Sequence, residues 1–271
     1  MPELPEVETT CRGIVPHILG QTVKQVIVRN PSLRWPVPDN LHQTLSGLKI
    51  EAVSRRAKYL LLATDQGTVL LHLGMSGNLR IVSTDQAIGK HDHLDFVFTN
   101  GTVMRFNDPR RFGSVLWTDE PVAEHQLLKN LGPEPLLADF TGDLLFERSR
   151  NRKIAVKSLI MDSHIVVGVG NIYANEALFM AGIQPIRQAG KISLVRYQKL
   201  TECIRLVLHN AIEQGGTTLR DFVNETGKPG YFQQQLKVYG RSGLPCISCQ
   251  HPLTEIRISN RSTIYCGNCQ K

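Results

Sequence analysis

Leu94-Asp95-Phe96-Val97-Phe98-Thr99-Asn100-Gly101-Thr102-Val103-Met104-Arg105-Phe106 decides how the first half of this chain is read. Two β-rich arms flank an Asn-Gly pair, the pattern of a hairpin whose type I′ turn needs positive φ at both central residues. The runs before it have the same texture. Val23–Val28, Leu48–Val53, Tyr59–Ala63, Val69–Leu73 and Leu79–Val82 are short, rich in branched and aromatic residues, and punctuated by Gly, Asp or Pro. Strands at this spacing, continuing to about residue 117, predict a sandwich or barrel. Ahead of them, residues 5–19 predict a helix: Pro5 suits its first position, Val7, Cys11, Ile14 and Ile18 share a face, and Gly20 follows. Pro16 lacks an N–H and predicts a kink or an early end.

After the hairpin the texture changes. Residues 119–137 carry the breaker cluster Gly132-Pro133-Glu134-Pro135 and read as a linker. Helical periodicity follows. A short helix is predicted at Asn171–Met180. A longer one is capped by Ser193, carries Leu194, Leu200, Ile204, Val207, Leu208, Ala211 and Ile212, and closes at Gly215-Gly216.

The chain ends on Cys246-x2-Cys249 and Cys266-x2-Cys269, separated by 16 residues. Two such knuckles can complete a tetrahedral four-sulfur zinc site with no open position, which makes the metal structural. Two disulfides are the alternative, and a reducing compartment disfavours them. Between the knuckles, Ile256-Arg257-Ile258 and Thr263-Ile264-Tyr265 alternate like a hairpin with Ser259-Asn260-Arg261-Ser262 at its tip. Cys11 and Cys203 lie on apolar helix faces and read as core.

The charge is lopsided. Of 31 Lys+Arg and 24 Asp+Glu, residues 1–135 hold 14 of each, so the whole +7 excess lies in residues 136–271. A basic half suits a polyanionic partner. No apolar run reaches the ~18 residues a membrane helix needs. The acidic, proline-bearing start is unlike a signal peptide. A soluble intracellular protein without membrane association is expected.

Pro2 follows the initiator Met, whose removal would expose a secondary amine. A free α-amine titrates near ~7.7–8.0, so part of it is unprotonated at neutral pH. Such an amine is nucleophilic and yields a cationic iminium, an electron sink. Glu3 and Glu6 stand beside it as possible proton donors or acceptors. The same residues equally suit an ordinary helix start, where carboxylates complement the dipole.

Met1-Pro2-Glu3-Leu4-Pro5-Glu6-Val7-Glu8-Thr9 resembles the N-terminal signature of bacterial formamidopyrimidine-DNA glycosylases. So do Arg55-Arg56-Ala57-Lys58-Tyr59, His72-Leu73-Gly74-Met75-Ser76-Gly77, His91-Asp92-His93, Asp108-Pro109-Arg110-Arg111-Phe112-Gly113, Leu131-Gly132-Pro133-Glu134-Pro135, Val167 through Glu176, and the terminal four-cysteine finger. The resemblance spans essentially the whole chain. It implies an α+β fold with two domains: an N-terminal helix plus β-sandwich, and a helix–two-turn–helix domain ending in a zinc β-hairpin. The expected boundaries are 1–118 for the catalytic sandwich, 119–137 for the linker, 138–235 for the helical DNA-binding domain and 236–271 for the zinc hairpin.

The resemblance also implies excision of oxidised purines, 8-oxoguanine and formamidopyrimidines, from duplex DNA, then abasic-site cleavage by β,δ-elimination. On it Pro2 is the nucleophile, Glu3 assists by proton transfer, Lys58 assists β-elimination and Arg261 δ-elimination. Glu6 orients the nucleophile or the lesion. Met75, Arg110 and Phe112 fill the hole left by the flipped base. His91, Arg110 and Arg152 contact the DNA backbone, and Asn171 opens a phosphate-binding turn. Phe222–Phe232 resembles a loop that closes over the flipped base. The implied cofactor is one structural Zn2+, held by Cys246, Cys249, Cys266 and Cys269, with no organic cofactor. The implied partner is double-stranded DNA containing oxidised purines or abasic sites, met by a monomer in the bacterial cytoplasm and, through DNA, at the nucleoid. An endonuclease VIII-like enzyme for oxidised pyrimidines and a non-catalytic zinc-finger DNA-binding protein are the alternatives.

Overall fold

The computed structural model describes residues 2–216 and 235–271. They divide into two compact units. One holds the chain up to Lys129 with residues 214–216, and the other holds Asn130–Glu213 with residues 235–271.

In the first unit, α1 (Leu4–Ile18) leads to β1 (Val23–Val28), a single-turn α2 (Leu41–Leu45), β2 (Ala52–Arg56), β3 (Tyr59–Ala63), β4 (Thr68–His72), β5 (Asn78–Val82), β6 (Asp92–Phe98), β7 (Val103–Asn107) and β8 (Ser114–Thr118). Two four-stranded antiparallel sheets form, in the orders β1-β6-β7-β5 and β2-β3-β4-β8. Leu60, Leu62, Val69 and Leu71 from one sheet share a core with Leu79, Leu94, Phe96, Met104 and Phe106 from the other. Helix α1 contributes the face read from sequence: Val7, Cys11, Ile14 and Ile18 are all buried. This is the expected helix plus sandwich.

Three local expectations change. Helix α1 does not stop at Pro16 but runs to Ile18. Pro16 falls in the last turn, which the Leu19 N–H closes by donating to the Val15 carbonyl (3.0 Å). The Asn100-Gly101 turn is not type I′, because of the two only Gly101 has positive φ (84°). Phe98 N–H donates to Thr102 C=O (2.9 Å), and the Asn100 side chain accepts from Thr102 N–H (2.9 Å), giving a three-residue loop with a left-handed glycine. The strand expected at Leu48–Val53 lies at Ala52–Arg56 instead. Leu48 and Ile50 are buried, but their backbones bond to Val23, Gly20 and Gln21 beside β1 rather than to β3.

Across β6 and β7 lies a buried ionic cluster. Arg105, 2% exposed, gives its Nε and Nη2 to the two oxygens of Asp95 (2.9 and 3.0 Å), and Arg29 joins the same carboxylate. Asp92 accepts from Asn107, Gly89 and Arg80. Burial pushes both carboxyls up, yet these hydrogen bonds and charges outweigh it and hold both below the usual carboxylate range. A lowered folded pKa adds stability at neutral pH that is lost as pH falls from about 4 through the lowered values. Asp95→Asn leaves the Arg105 guanidinium buried with one partner weakened, so at pH 7 it should cost ~3 kcal/mol. It should also flatten the fall of Tm below pH 4. Circular dichroism melts across pH 2.5–7 check this, and a variant with wild-type Tm at pH 7 refutes it.

The second unit contains α3 (Gly142–Ser149), α4 (Val156–Ile160), α5 (Asn171–Ala181), α6 (Leu194–Glu213) and the hairpin β9 (Thr254–Ile258) with β10 (Arg261–Tyr265). Thr141 caps α3 by accepting the Leu144 N–H (3.1 Å). Left-handed Gly182 (φ 71°) ends α5. Cys203 and its apolar neighbours on α6 are buried as their spacing predicts. Glu176 on α5 accepts three backbone N–H groups, from Lys237, Val238 and Tyr239, at 2.8–2.9 Å. Burial nevertheless pushes its carboxyl above the usual range. No helix among the described residues is long and apolar enough to cross a membrane. The closing loop expected at Phe222–Phe232, and the processing of Met1, lie outside the described residues.

Candidate active site and metal centre

Pro2 is buried and stands two residues ahead of α1, next to its N-cap. Glu3 is the N-cap and Glu6 the third helical residue, both 2% exposed. Glu6 Oε2 accepts the Glu3 N–H (2.8 Å), half of a capping box. The motif thus fixes the residue that follows the candidate amine and occupies the Glu6 carboxylate with positioning. Gly216 backs onto Glu6: a Cβ there would sit 3.3 Å from Glu6 Cγ and Oε1, and its φ is +82°.

Lys58 sits in the two-residue turn between β2 and β3, where Arg56 pairs with Tyr59 and Ala57 has φ 54°. Arg55 anchors that turn, donating Nη1 to the Ala57 carbonyl (2.8 Å) and Nε to Glu8 of α1 (2.9 Å). Burial would raise the Glu8 carboxyl, but hydrogen bonds from Arg55 and Arg12 prevail and hold it low. Sequence reading missed Glu8 and Arg55 as supports. Their signal was the charge pair itself, and spacing does not reveal partners 47 residues apart.

His72, also missed, closes β4. Burial, with Lys58 and Arg34 adding positive charge, pushes it down to about 4, so it is neutral at pH 7. Its Nδ1 accepts the Gly74 N–H (3.0 Å), which leaves the ring proton on Nε2.

Met75 is half-buried in the Gly74–Gly77 turn. Arg110 and Phe112 occupy an exposed tip, the guanidinium 4.8 Å from the ring centroid and Phe112 44% exposed. A large apolar side chain held out in water suits insertion between bases. His91 is half-buried, its ring edge-on to His93.

In the second unit, Arg152 is exposed beside left-handed Asn151 (φ 61°). Asn171 starts α5 after Gly168 (φ 78°) and the N-cap Gly170. Its Oδ1 is buried and has no partner among the described residues. The positive end of a helix dipole suits a phosphate. Arg261 is exposed, but it is the first residue of β10, paired with Ile258, rather than part of the tip. The turn is Ser259-Asn260, both with positive φ (49° and 60°), the type I′ geometry expected elsewhere. Lys157, 1% exposed, holds the hairpin, its Nζ donating to the Ser262 carbonyl (2.9 Å) and Thr263 Oγ1 (2.7 Å).

The four cysteine sulfurs lie within 4.8 Å of one another, with Cys246–Cys269 at 3.9 Å and Cys249–Cys266 at 3.5 Å. Disulfide sulfurs would be about 2.05 Å apart. A tetrahedron with Zn–S of about 2.3 Å has edges of about 3.8 Å, which this cluster matches. Ser248 and Cys269 N–H groups donate to the Cys246 and Cys266 sulfurs (3.4 Å each), tempering thiolate charge.

Three family models match this chain in succession: the formamidopyrimidine-DNA glycosylase N-terminal domain over residues 1–115, its H2TH domain over 131–223, and the zinc finger found in FPG and IleRS over 243–271. The chain belongs to the formamidopyrimidine-DNA glycosylase family. A formamidopyrimidine-DNA glycosylase of Marinobacter nauticus is 61% identical over 271 residues, and one of Stutzerimonas stutzeri 59%, each covering 100% of both chains. The crystal structure of MutM (Fpg) from Thermus thermophilus matches with TM-score 0.89 and 38% identity, covering 99% of this chain and 98% of that one. Wild-type Lactococcus lactis Fpg in complex with DNA containing N7-benzyl-Fapy-dG matches with TM-score 0.92 and 32% identity over 100% of both chains. Family membership and the sulfur geometry together assign one structural zinc to Cys246, Cys249, Cys266 and Cys269. The endonuclease VIII-like and non-catalytic alternatives are not favoured.

Proposed function

We propose that Pro2 carries out the family's chemistry in this chain. The protein is a base-excision repair enzyme for oxidised purines, a DNA glycosylase with AP lyase activity acting on duplex DNA. A target base must leave the stack before its glycosidic carbon can be reached. The Pro2 nitrogen attacks C1′ and the base departs with its electron pair. Glu3 passes a proton to the opening sugar oxygen. The resulting iminium acidifies C2′, whose proton leaves as the 3′ phosphate bond breaks, with Lys58 assisting. Arg261 assists the second elimination, which frees the 5′ phosphate. Glu6 holds Glu3 rather than moving protons.

The observation that carries this reading is the placement of Pro2 directly before a capping box whose two acids are both buried. Met75, Arg110 and Phe112 fill the vacated stack. Arg110 satisfies the orphaned base, while His91, Arg152 and Asn171 take backbone phosphates. We place the enzyme, as a monomer, in the bacterial cytoplasm and at the nucleoid through its DNA.

Borohydride reduction during turnover of an 8-oxoguanine duplex tests it. The iminium should be trapped as a covalent adduct whose mass maps to the N-terminal peptide. Efficient excision without any adduct would overturn the Pro2 reading.

A further inference from the structure

Asp108 follows β7 and is fully buried. One carboxylate oxygen accepts the Ser76 hydroxyl (2.8 Å) and the Arg110 N–H (3.2 Å), and the other accepts the Gly113 N–H (2.8 Å). Its backbone is held as well. The Asp108 N–H donates to the His91 carbonyl (3.0 Å), and its own carbonyl lies 2.8 Å from His93 Nε2. The three side-chain bonds reach two separate loops, one carrying Met75 and the other Arg110 and Phe112. Between those loops there is no room for a side chain. A Cβ on Gly74 would fall 2.4 Å from both the Gly113 nitrogen and the Phe112 carbonyl carbon, and Gly74 has φ +67°.

We propose that Asp108 is a positioning residue that welds these two loops into one preassembled wedge, so that Met75 and Phe112 enter the duplex together. This rests on the wedge reading given above. A buried carboxylate with three short donors is a stiff joint, because releasing any donor leaves charge unsatisfied in a dry site. The sandwich core beside this joint, where the Phe106 ring lies against Gly113, is apolar and does not itself call for a carboxylate. A rigid wedge spares the protein the ordering of two loops at the moment of insertion, when a loose pair would lose rate.

The test uses the full chain and an 8-oxoguanine duplex with 2-aminopurine next to the lesion, whose emission rises when the stack opens. Met75→Ala and Phe112→Ala serve as references. Ser76→Ala removes one donor, and Asp108→Asn keeps the shape but weakens the acceptor. Both should slow the emission change and single-turnover excision roughly tenfold, the loss of one charged hydrogen bond. The double variant should be no slower than the worse single. Borohydride trapping on a preformed abasic site in single-stranded DNA should stay at the wild-type rate, a result that mere misfolding would not give. If Ser76→Ala and Asp108→Asn open the stack at the wild-type rate while the reference variants do not, the proposal is overturned and the wedge reading stands. If the reference variants also open it normally, both fall. Should Asp108→Asn fail to fold, Ser76→Ala decides.

Discussion

Protein that retains Met1 will bind damaged duplex and cut none of it. With Met1 in place the Pro2 nitrogen is a tertiary amide, its lone pair is delocalised into the carbonyl, and it cannot attack C1′ or form an iminium. Glu3 and Glu6 are buried acids engaged in a capping box, and neither can supply the electron sink that elimination needs. Removal of a covalent nucleophile usually lowers turnover by three orders of magnitude or more, ~4 kcal/mol in the barrier. Excision and strand cleavage should therefore fall together by at least ~10^3-fold, and the borohydride adduct should vanish. Affinity for duplex containing a non-cleavable abasic analogue should change by less than ~3-fold, since the phosphate contacts are untouched. Mass spectrometry of the intact protein verifies the block. Trapping at wild-type yield by protein shown to be fully Met1-retaining would remove Pro2 from the mechanism.

Glu3→Gln gives a graded companion to that result, because it keeps the cap position but removes proton transfer. Imine formation on a preformed abasic site should persist while base excision slows.

The route from sequence to site was uneven for physical reasons. Apolar periodicity gave α1 and α6 to within a residue or two, because each buries one face, while α5, found at its expected place, is buried nearly all round. Turn chemistry misled once and in an instructive way. Asn100-Gly101 is the stronger type I′ sequence, yet that geometry occurs at Ser259-Asn260, where the two-residue link between paired Ile258 and Arg261 demands it. At Asn100 the Asn side chain instead bonds the Thr102 N–H and makes a longer loop the better solution. The strand expected over Leu48–Val53 slid because backbone partners, not side-chain alternation, set its register. The candidate catalytic residues came from the family resemblance, since on local chemistry alone Pro2, Glu3 and Glu6 equally suit an ordinary helix start. Their supports, Glu8, Arg55 and Lys157, act through contacts distant in sequence, which no spacing rule encodes.

Removal of zinc will abolish DNA binding while leaving the first unit folded. The finger has almost no core of its own. Its buried apolar cluster is Val238, Leu253, Ile264 and Phe179 of α5, completed by two of the ligands, Cys246 and Cys266. Without the metal that set cannot offset the entropy of ordering the hairpin. Structural zinc contributes ~10–16 kcal/mol of binding free energy, which in such small modules is folding free energy. Its loss releases the thiols. The two bonds from Lys157 of α4 and the Ile264 N–H bond to Asn175 Oδ1 of α5 would then have to hold β10 without a closed finger. Arg261 would lose its fixed place. Chelation or Cys266→Ala should therefore weaken duplex binding by at least ~10^2-fold. The chain provides a clean internal control: its two tryptophans, Trp35 and Trp117, both lie in the first unit. Their emission should be unchanged by chelation, and its urea midpoint should move little, while amide exchange across Thr254–Tyr265 should collapse to unprotected rates. Full DNA affinity in protein shown by elemental analysis to be metal-free would refute the structural role of the zinc. A shift in tryptophan emission on chelation would instead show that the metal stabilises far more of the chain than the finger.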